Sequence, residues 1–206
     1  RKKLAARIKT LIDRYGIPEF LNQRDAFLFK IYQLFGYHFD FIAIPIIKKR
    51  LRMDTSKVIL DEARPKLTEH LATRARQHIG QNVNLLGEVV LGNGEADHRY
   101  NHYLEALEAP DINYISVKIS GIYAQTHALN YEESFPELVK RMSALYQKAI
   151  DFPYVDEHGV KHAKFVNLDM EEYKDAHFTM RLFKTVLSRP EFKNYSAGIV
   201  VQAYLP

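Results

Sequence analysis

The feature that most constrains the fold is an alternation of short β-rich runs with stretches of helical period after Gly80. The β-rich runs are residues 83–86, 112–119, 164–168 and 198–204, and the helical stretches are residues 95–108, 132–150 and 171–188. Strands that are separated by helices favour parallel pairing with right-handed crossovers. The pattern therefore predicts an α/β fold with about four parallel strands.

Two architectures accommodate such a series, an open doubly wound sheet and a closed (βα)8 barrel. The first expects a glycine-rich phosphate turn after its first strand, but residues 87–94 (GEVVLGNG) have their glycines at other spacings. This favours the barrel. Because a complete barrel of this type takes about 250 residues, four strands predict a partial TIM-like barrel.

The first part of the chain has a different hydrophobic pattern. From the start to about Gly80, apolar residues recur every three or four positions, which predicts an all-helical region over residues 1–79. Residues 80–206 then form the incomplete barrel. The chain opens without a methionine and its last run reads as a strand, so we expect a fragment of a longer protein.

Composition excludes several classes of chemistry. The 206 residues include no cysteine, which excludes a disulfide scaffold, a thiolate zinc site and a cysteine nucleophile, and fits a cytoplasmic protein. The longest apolar run, residues 41–47, contains Pro45 and is far shorter than a membrane-spanning helix. Histidines 98 and 102 have a helical spacing, but no glutamate follows His98 in the metalloprotease pattern, so we predict no metal site.

Charge is distributed unevenly. Residues 1–80 hold 17 Lys and Arg against 8 Asp and Glu, whereas residues 81–206 hold 12 against 17. A basic helical region attracts phosphates, anionic lipid headgroups or an acidic protein surface, or is simply a solvated surface. One functional hypothesis is therefore a noncatalytic interaction or membrane-docking module that uses the basic helices of residues 1–80.

The competing hypothesis is an enzyme, because polar residues stand at the carboxyl end of every predicted strand, where α/β folds collect their functional groups. These residues are Glu88 after the first strand, Lys118 and Ser120 in the second, Asp169, Glu171 and Glu172 after the third, and Gln202 and Tyr204 in the fourth.

Each of the main candidates has an alternative structural role. Alternation places Lys118 on one strand face with Ser116 and Ser120, where its ammonium meets a carboxylate or a ligand anion, or reaches solvent at the strand end. Asp169 could orient a cation, take a proton, pair with Lys118 or cap a helix.

The other candidates are less specific. Glu171 and Glu172 are expected in the first turn of the next helix, where the helix dipole favours acids. The amide of Gln202 has both a donor and an acceptor, which suits a planar heterocycle.

Four motifs at these strand ends carry a family resemblance. Residues 84–88 (NLLGE), 115–120 (ISVKIS), 165–172 (FVNLDMEE) and 198–204 (GIVVQAY) resemble successive strand motifs of proline dehydrogenase, in the same order. The resemblance is to the bacterial bifunctional proline-utilisation type. It implies a distorted (βα)8 barrel that carries FAD, oxidises L-proline to 1-pyrroline-5-carboxylate and passes electrons to a membrane quinone.

The resemblance also assigns roles to individual residues. Lys118 would hold the proline carboxylate, Asp169 would be the catalytic strand-end acid, and Glu88 would close the pocket by pairing with an arginine from a late helix. Met170 would pack by the flavin, and Gln202 would hydrogen-bond its isoalloxazine ring.

Further partners follow from the same resemblance. A downstream aldehyde dehydrogenase domain and peripheral contact with the inner membrane are expected, and nucleic acid is not. Because other family motifs would lie beyond residue 206, we expect this chain to be inactive alone.

Overall fold

The computed structural model describes residues 2–19, 21–35, 40–55, 59–60, 64–86, 90, 92–124 and 130–203. Contacts divide the chain into two compact units, Arg1–Leu67 and Thr68–Pro206. Within the described residues, no helix combines the length and the apolar character that crossing a membrane requires.

The first unit is helical. It contains α1 (Lys2–Tyr15), α2 (Gln23–Phe35), α3 (Asp40–Thr55) and the start of α4 (Arg64–Arg76). The Tyr32 hydroxyl of α2 donates a 3.0 Å hydrogen bond to the Ala5 carbonyl of α1, and both residues are buried. The predicted helical period is therefore observed, and α3 forms in addition around Pro45.

The second unit contains a parallel sheet. Its strands in chain order are β1 (Val83–Asn84), β2 (Tyr114–Lys118), a hairpin of β3 (Tyr154–Val155) and β4 (Lys161–His162), β5 (Phe165–Asp169) and β6 (Gly198–Ile199). The helices are α5 (Asn93–Glu108), α6 (Ile119–Ile122), α7 (Tyr131–Asp151) and α8 (Ala176–Leu187). Strands β1, β2, β5 and β6 pair in parallel in that order, which confirms the predicted partial barrel.

The two faces of the sheet differ in polarity. Four aliphatic side chains on one face are almost completely buried, namely Ile115, Val117, Val166 and Leu168. Helix α5 contacts β2 and helix α7 contacts β5, so the helices form the outer layer of this unit. The opposite face carries Ser116 and Lys118 on β2 beside their register partners Asn167 and Asp169 on β5.

Two local predictions were wrong, and one element was missed. Helix α8 begins at Ala176 after a 3₁₀ turn at Tyr173–Asp175, so Glu171 and Glu172 precede the helix instead of occupying its first turn. Ser120 lies in α6 and not on the polar strand face, because β2 ends at Lys118. The β3–β4 hairpin was not predicted, although Asp156 organises its turn by accepting hydrogen bonds from the backbone N–H groups of His158 and Val160.

Gly198 provides the space that Asn167 occupies. A Cβ atom at Gly198 would lie 2.5 Å from the Asn167 side-chain oxygen and 2.9 Å from the Phe165 ring. Real Cβ atoms do not approach other atoms so closely. The first residue of β6 therefore has to be glycine while Asn167 keeps its place on β5.

We predict that Gly198→Ala lowers the free energy of unfolding by about 1–3 kcal/mol, because the added methyl group displaces Asn167 or Phe165. Urea denaturation measures the change. The matched control is Gly94→Ala, where a Cβ meets nothing within 4 Å and alanine stabilises helix α5 by up to about 1 kcal/mol. Equal effects of the two substitutions would contradict the steric explanation.

Candidate active site

Lys118 and Asp169 lie side by side at the carboxyl ends of two neighbouring strands. They are the last residues of β2 and β5, and their Cα atoms are register partners. Because the strands are parallel, both side chains project from the same face of the sheet. The structure thus brings together Lys118 and Asp169, two of the charged residues that the sequence predicted for the site.

The Asp169 carboxylate is fixed by two amides. Asn84 of β1 donates a 3.1 Å hydrogen bond from Nδ2 to Oδ2, and Asn167 of β5 donates a 2.9 Å hydrogen bond from Nδ2 to Oδ1. Each carboxylate oxygen therefore has its own donor. The orientation of the carboxylate is set by residues on two different strands.

Lys118 forms its ion pair with Glu171. The Lys118 ammonium lies 3.8 Å from Glu171 Oε1, and the other oxygen of Glu171 accepts a 3.4 Å hydrogen bond from the Ser120 backbone N–H. Both distances are long, and about 30% of each side chain is exposed, 29% for Lys118 and 31% for Glu171. Glu171 is therefore held loosely at the strand ends. Glu172 points elsewhere and pairs with Lys174 at 2.8 Å.

The remaining candidates lie near the same edge or outside the described residues. Met170 follows Asp169 directly and is half-buried. The backbone N–H of Val200 donates to the carbonyl of Leu168, so the chain still follows β5 just beyond β6 and leads to Gln202. Glu88 and Tyr204 lie outside the described residues.

Gln202 presents a buried acceptor. Its Oε1 atom is shielded from solvent and has no hydrogen-bond partner among the described residues. A buried, unsatisfied amide oxygen is costly, so this atom fits a ligand that supplies an N–H donor.

A family model described as proline dehydrogenase matches residues 67–206. The chain belongs to the proline dehydrogenase family. This match covers the whole described sheet together with the residues at its carboxyl edge.

Solved structures of PutA, the proline utilization A protein, are similar to this chain. One is from Corynebacterium freiburgense, with 33% identity and a TM-score of 0.66 over 92% of this chain and 18% of that chain. Another is from Bdellovibrio bacteriovorus, inactivated by N-propargylglycine, with 27% identity and a TM-score of 0.65 over 99% of this chain and 22% of that chain. The resemblance to the proline dehydrogenase of PutA type is thus confirmed.

The chain spans about a fifth of the length of these two PutA proteins. A PutA variant from Bradyrhizobium japonicum, 24% identical over 60% of this chain with a TM-score of 0.51, shares the fold. The comparison with curated proteins gives no match.

Proline dehydrogenases are flavoenzymes, and the residues at the strand ends fit a flavin. The isoalloxazine ring of FAD carries an N–H group that suits the buried Oε1 atom of Gln202. Met170, half-buried beside Asp169, provides an apolar surface for such a ring. Gln202 and Met170 would therefore hold the cofactor.

Tyr103 of α5 supports the end of β2 and was not predicted as part of the site. Its side chain is 2% exposed, and its hydroxyl would lie 3.2 Å from a Cβ atom at Gly121. The pKa of this hydroxyl is raised to about 12, mainly by burial and to a smaller extent by the negative charges of Asp169 and Glu171, whereas a hydrogen bond with the Lys118 backbone opposes the increase. Helical spacing marks Tyr103 as a core residue but does not reveal its neighbours.

We predict that Tyr103 makes stability fall between pH 10 and pH 12. In the unfolded chain the hydroxyl ionises near pH 10, whereas in the folded protein it keeps its proton until about pH 12. Deprotonation above pH 10 therefore favours the unfolded state, by up to about 1.4 kcal/mol per pH unit. Tyr103→Phe removes this contribution, so urea denaturation between pH 9 and pH 11 should show a shallower loss of stability.

The control is Tyr173→Phe, at a tyrosine that is 68% exposed. It should follow the wild-type dependence on pH. If Tyr103→Phe did the same, the buried hydroxyl would not be the group that titrates.

Proposed function

We propose that this chain supplies the first strands and part of the active site of an FAD-dependent proline dehydrogenase. The observation that carries the proposal is that Lys118 and Asp169 are register partners at the carboxyl ends of adjacent parallel strands, in a chain of this family. The ammonium binds the carboxylate of L-proline, and the fixed Asp169 carboxylate shapes the space beside it.

The reaction removes a hydride from C5 of proline and a proton from its nitrogen, which leaves a C5=N double bond in 1-pyrroline-5-carboxylate. The acceptor for this hydride would be supplied by FAD. The residues of this chain have the task of binding and orientation: Lys118 holds the substrate, and Gln202 and Met170 hold the cofactor. We assign to Glu88 the closure of the pocket by pairing with an arginine from a later helix.

Other strands have to complete the barrel. Among the described residues, β1 and β6 each pair with a neighbour on one side only, and unpaired strand edges favour association. We propose that the chain contains the N-terminal part of the catalytic barrel of a bifunctional protein with an aldehyde dehydrogenase domain, with the boundary between helical region and barrel at residues 79 and 80. In this proposal the protein is cytoplasmic, contacts the inner membrane peripherally and passes electrons to a quinone.

We predict that Lys118→Ala in the full-length protein that carries this sequence raises KM for L-proline about tenfold or more, because the ligand carboxylate loses its cation. Asp169→Ala should lower kcat roughly a hundredfold while FAD remains bound, since misplacement of the reactants is costly. Steady-state kinetics with a flavin absorbance spectrum measures both effects.

The control variant is Lys140→Ala, a lysine on α7 whose side chain is 77% exposed. It should keep wild-type kinetics. Unchanged turnover in Asp169→Ala would refute the role proposed for that carboxylate.

N-propargylglycine offers a second test, because it inactivates the Bdellovibrio PutA and shares a carboxylate and a nitrogen with proline. We predict that it also inactivates the full-length protein that carries this sequence, and that L-proline slows the loss of activity. Lys118→Ala should need about tenfold more of the compound for the same rate. Inactivation at equal rates in both proteins would exclude Lys118 as the carboxylate site.

The noncatalytic alternative has one observation in its favour. Phe27 and Leu34 of α2 are 62% and 73% exposed, and the helical region around them is basic. A docking module of this kind makes no use of Lys118 or Asp169. The kinetic effects of the two substitutions therefore distinguish it from the enzyme.

A further inference from the structure

Lys118 and Asp169 carry opposite charges on adjacent strands, yet within the described part of the chain they do not form an ion pair with each other. They are register partners at the ends of β2 and β5, and oppositely charged partners on neighbouring strands attract each other. The Lys118 ammonium instead lies 3.8 Å from Glu171. Other contacts therefore have to hold the Asp169 carboxylate away from this lysine.

Two amides provide these contacts. Asn167 donates to Oδ1 of Asp169 at 2.9 Å, and Asn84 donates to Oδ2 at 3.1 Å. Asn84 belongs to β1, which pairs with β2 and not with β5, so its amide reaches across β2 to the carboxylate. Its hydrogen bond occupies the side of Asp169 that faces the strand of Lys118. Because hydrogen bonds to a carboxylate are stronger than those between neutral groups, this contact competes with the lysine.

We propose that Asn84 is a positioning residue, which keeps the Lys118 ammonium available to a ligand carboxylate by holding Asp169 away from it. The inference rests on the proposed function, because it takes Lys118 as the group that binds the carboxylate of L-proline. Without the Asn84 amide, the Asp169 carboxylate turns toward Lys118 and pairs with it. The carboxylate of a ligand then has to displace Asp169 before it can bind.

Asn84 can be truncated without loss of packing, whereas Asn167 cannot. The Asn84 side chain is exposed at the end of β1, so an alanine there leaves the core intact. Asn167 is 7% exposed and fills the space beside Gly198, so its loss would also disturb β6. Glu171 stays in the protein in both cases, and its attraction for Lys118 cancels when wild type and Asn84→Ala are compared.

The test measures how tightly the full-length protein binds cyclopentanecarboxylate, which has a five-membered ring and a carboxylate like proline but no nitrogen to oxidise. Isothermal titration calorimetry gives the dissociation constant. In Asn84→Ala this constant should rise about two- to fivefold, which is the effect expected of a partly exposed ion pair between Lys118 and Asp169. KM for L-proline should rise in parallel.

A second substitution identifies Asp169 as the competing group. In Asp169→Asn the side chain keeps its shape and loses its charge, so it no longer attracts the lysine ammonium. The double variant Asn84→Ala with Asp169→Asn should therefore bind cyclopentanecarboxylate as tightly as Asp169→Asn alone. Such a loss of the effect in the second background is the signature of two residues that act through one contact.

The matched control is Asn82→Ala, which removes an amide from the same edge of the sheet. Asn82 donates a 2.9 Å hydrogen bond to the Ser116 hydroxyl and not to Asp169. Its substitution should leave the dissociation constant of cyclopentanecarboxylate at the wild-type value.

Two results would overturn the inference. An unchanged or smaller dissociation constant in Asn84→Ala, even with a lower kcat, would show that Asn84 does not protect Lys118 from Asp169. An equal weakening by Asn84→Ala in the wild-type and Asp169→Asn backgrounds would show that Asn84 acts without Asp169. If the wild-type protein oxidises proline in either case, the proposed function stands and the role of Asn84 falls. A wild-type protein that neither binds cyclopentanecarboxylate nor oxidises proline would overturn both.

Discussion

The candidate site depends on the register between β2 and β5. The pairing of Lys118 with Asp169 follows from the same ladder that sets Ser116 against Asn167, so one set of backbone hydrogen bonds aligns both polar rows. A shift by one residue would turn Lys118 and Ser116 to the helix-covered face, where a buried ammonium is costly. The aliphatic layer below therefore stabilises the alignment of the charged groups above it.

Much of this arrangement could be predicted from local sequence. Hydrophobic periodicity located the four parallel strands, and the alternation of Ser116 and Lys118 identified the polar face. Such patterns repeat every two or four residues, so one strand is enough to reveal them. The positions of Lys118 and Asp169 followed because the carboxyl ends of parallel strands share one edge.

Other features depend on contacts between distant segments, which periodicity does not encode. Glu171 was expected in a helix, yet a 3₁₀ turn delays α8 and leaves its carboxylate beside Lys118 and Ser120. The contribution of Asn84 to Asp169 joins residues on different strands, and Tyr103 approaches the site from a helix. The hairpin turn at Asp156 had a local signature, since Gly159 with φ +79° follows it closely.

The absence of a side chain at Gly198 has a consequence for the position of Gln202. Because the Asn167 side chain fills the space beside this glycine, β6 can pair with β5 in only one register. A shift by two residues would bring Val200 opposite Asn167, where its branched side chain collides. The space at Gly198 therefore fixes the register of β6 against β5. Because residue 198 is glycine, the register of β6 is fixed, and with it the position along the sheet of the Gln202 amide four residues later.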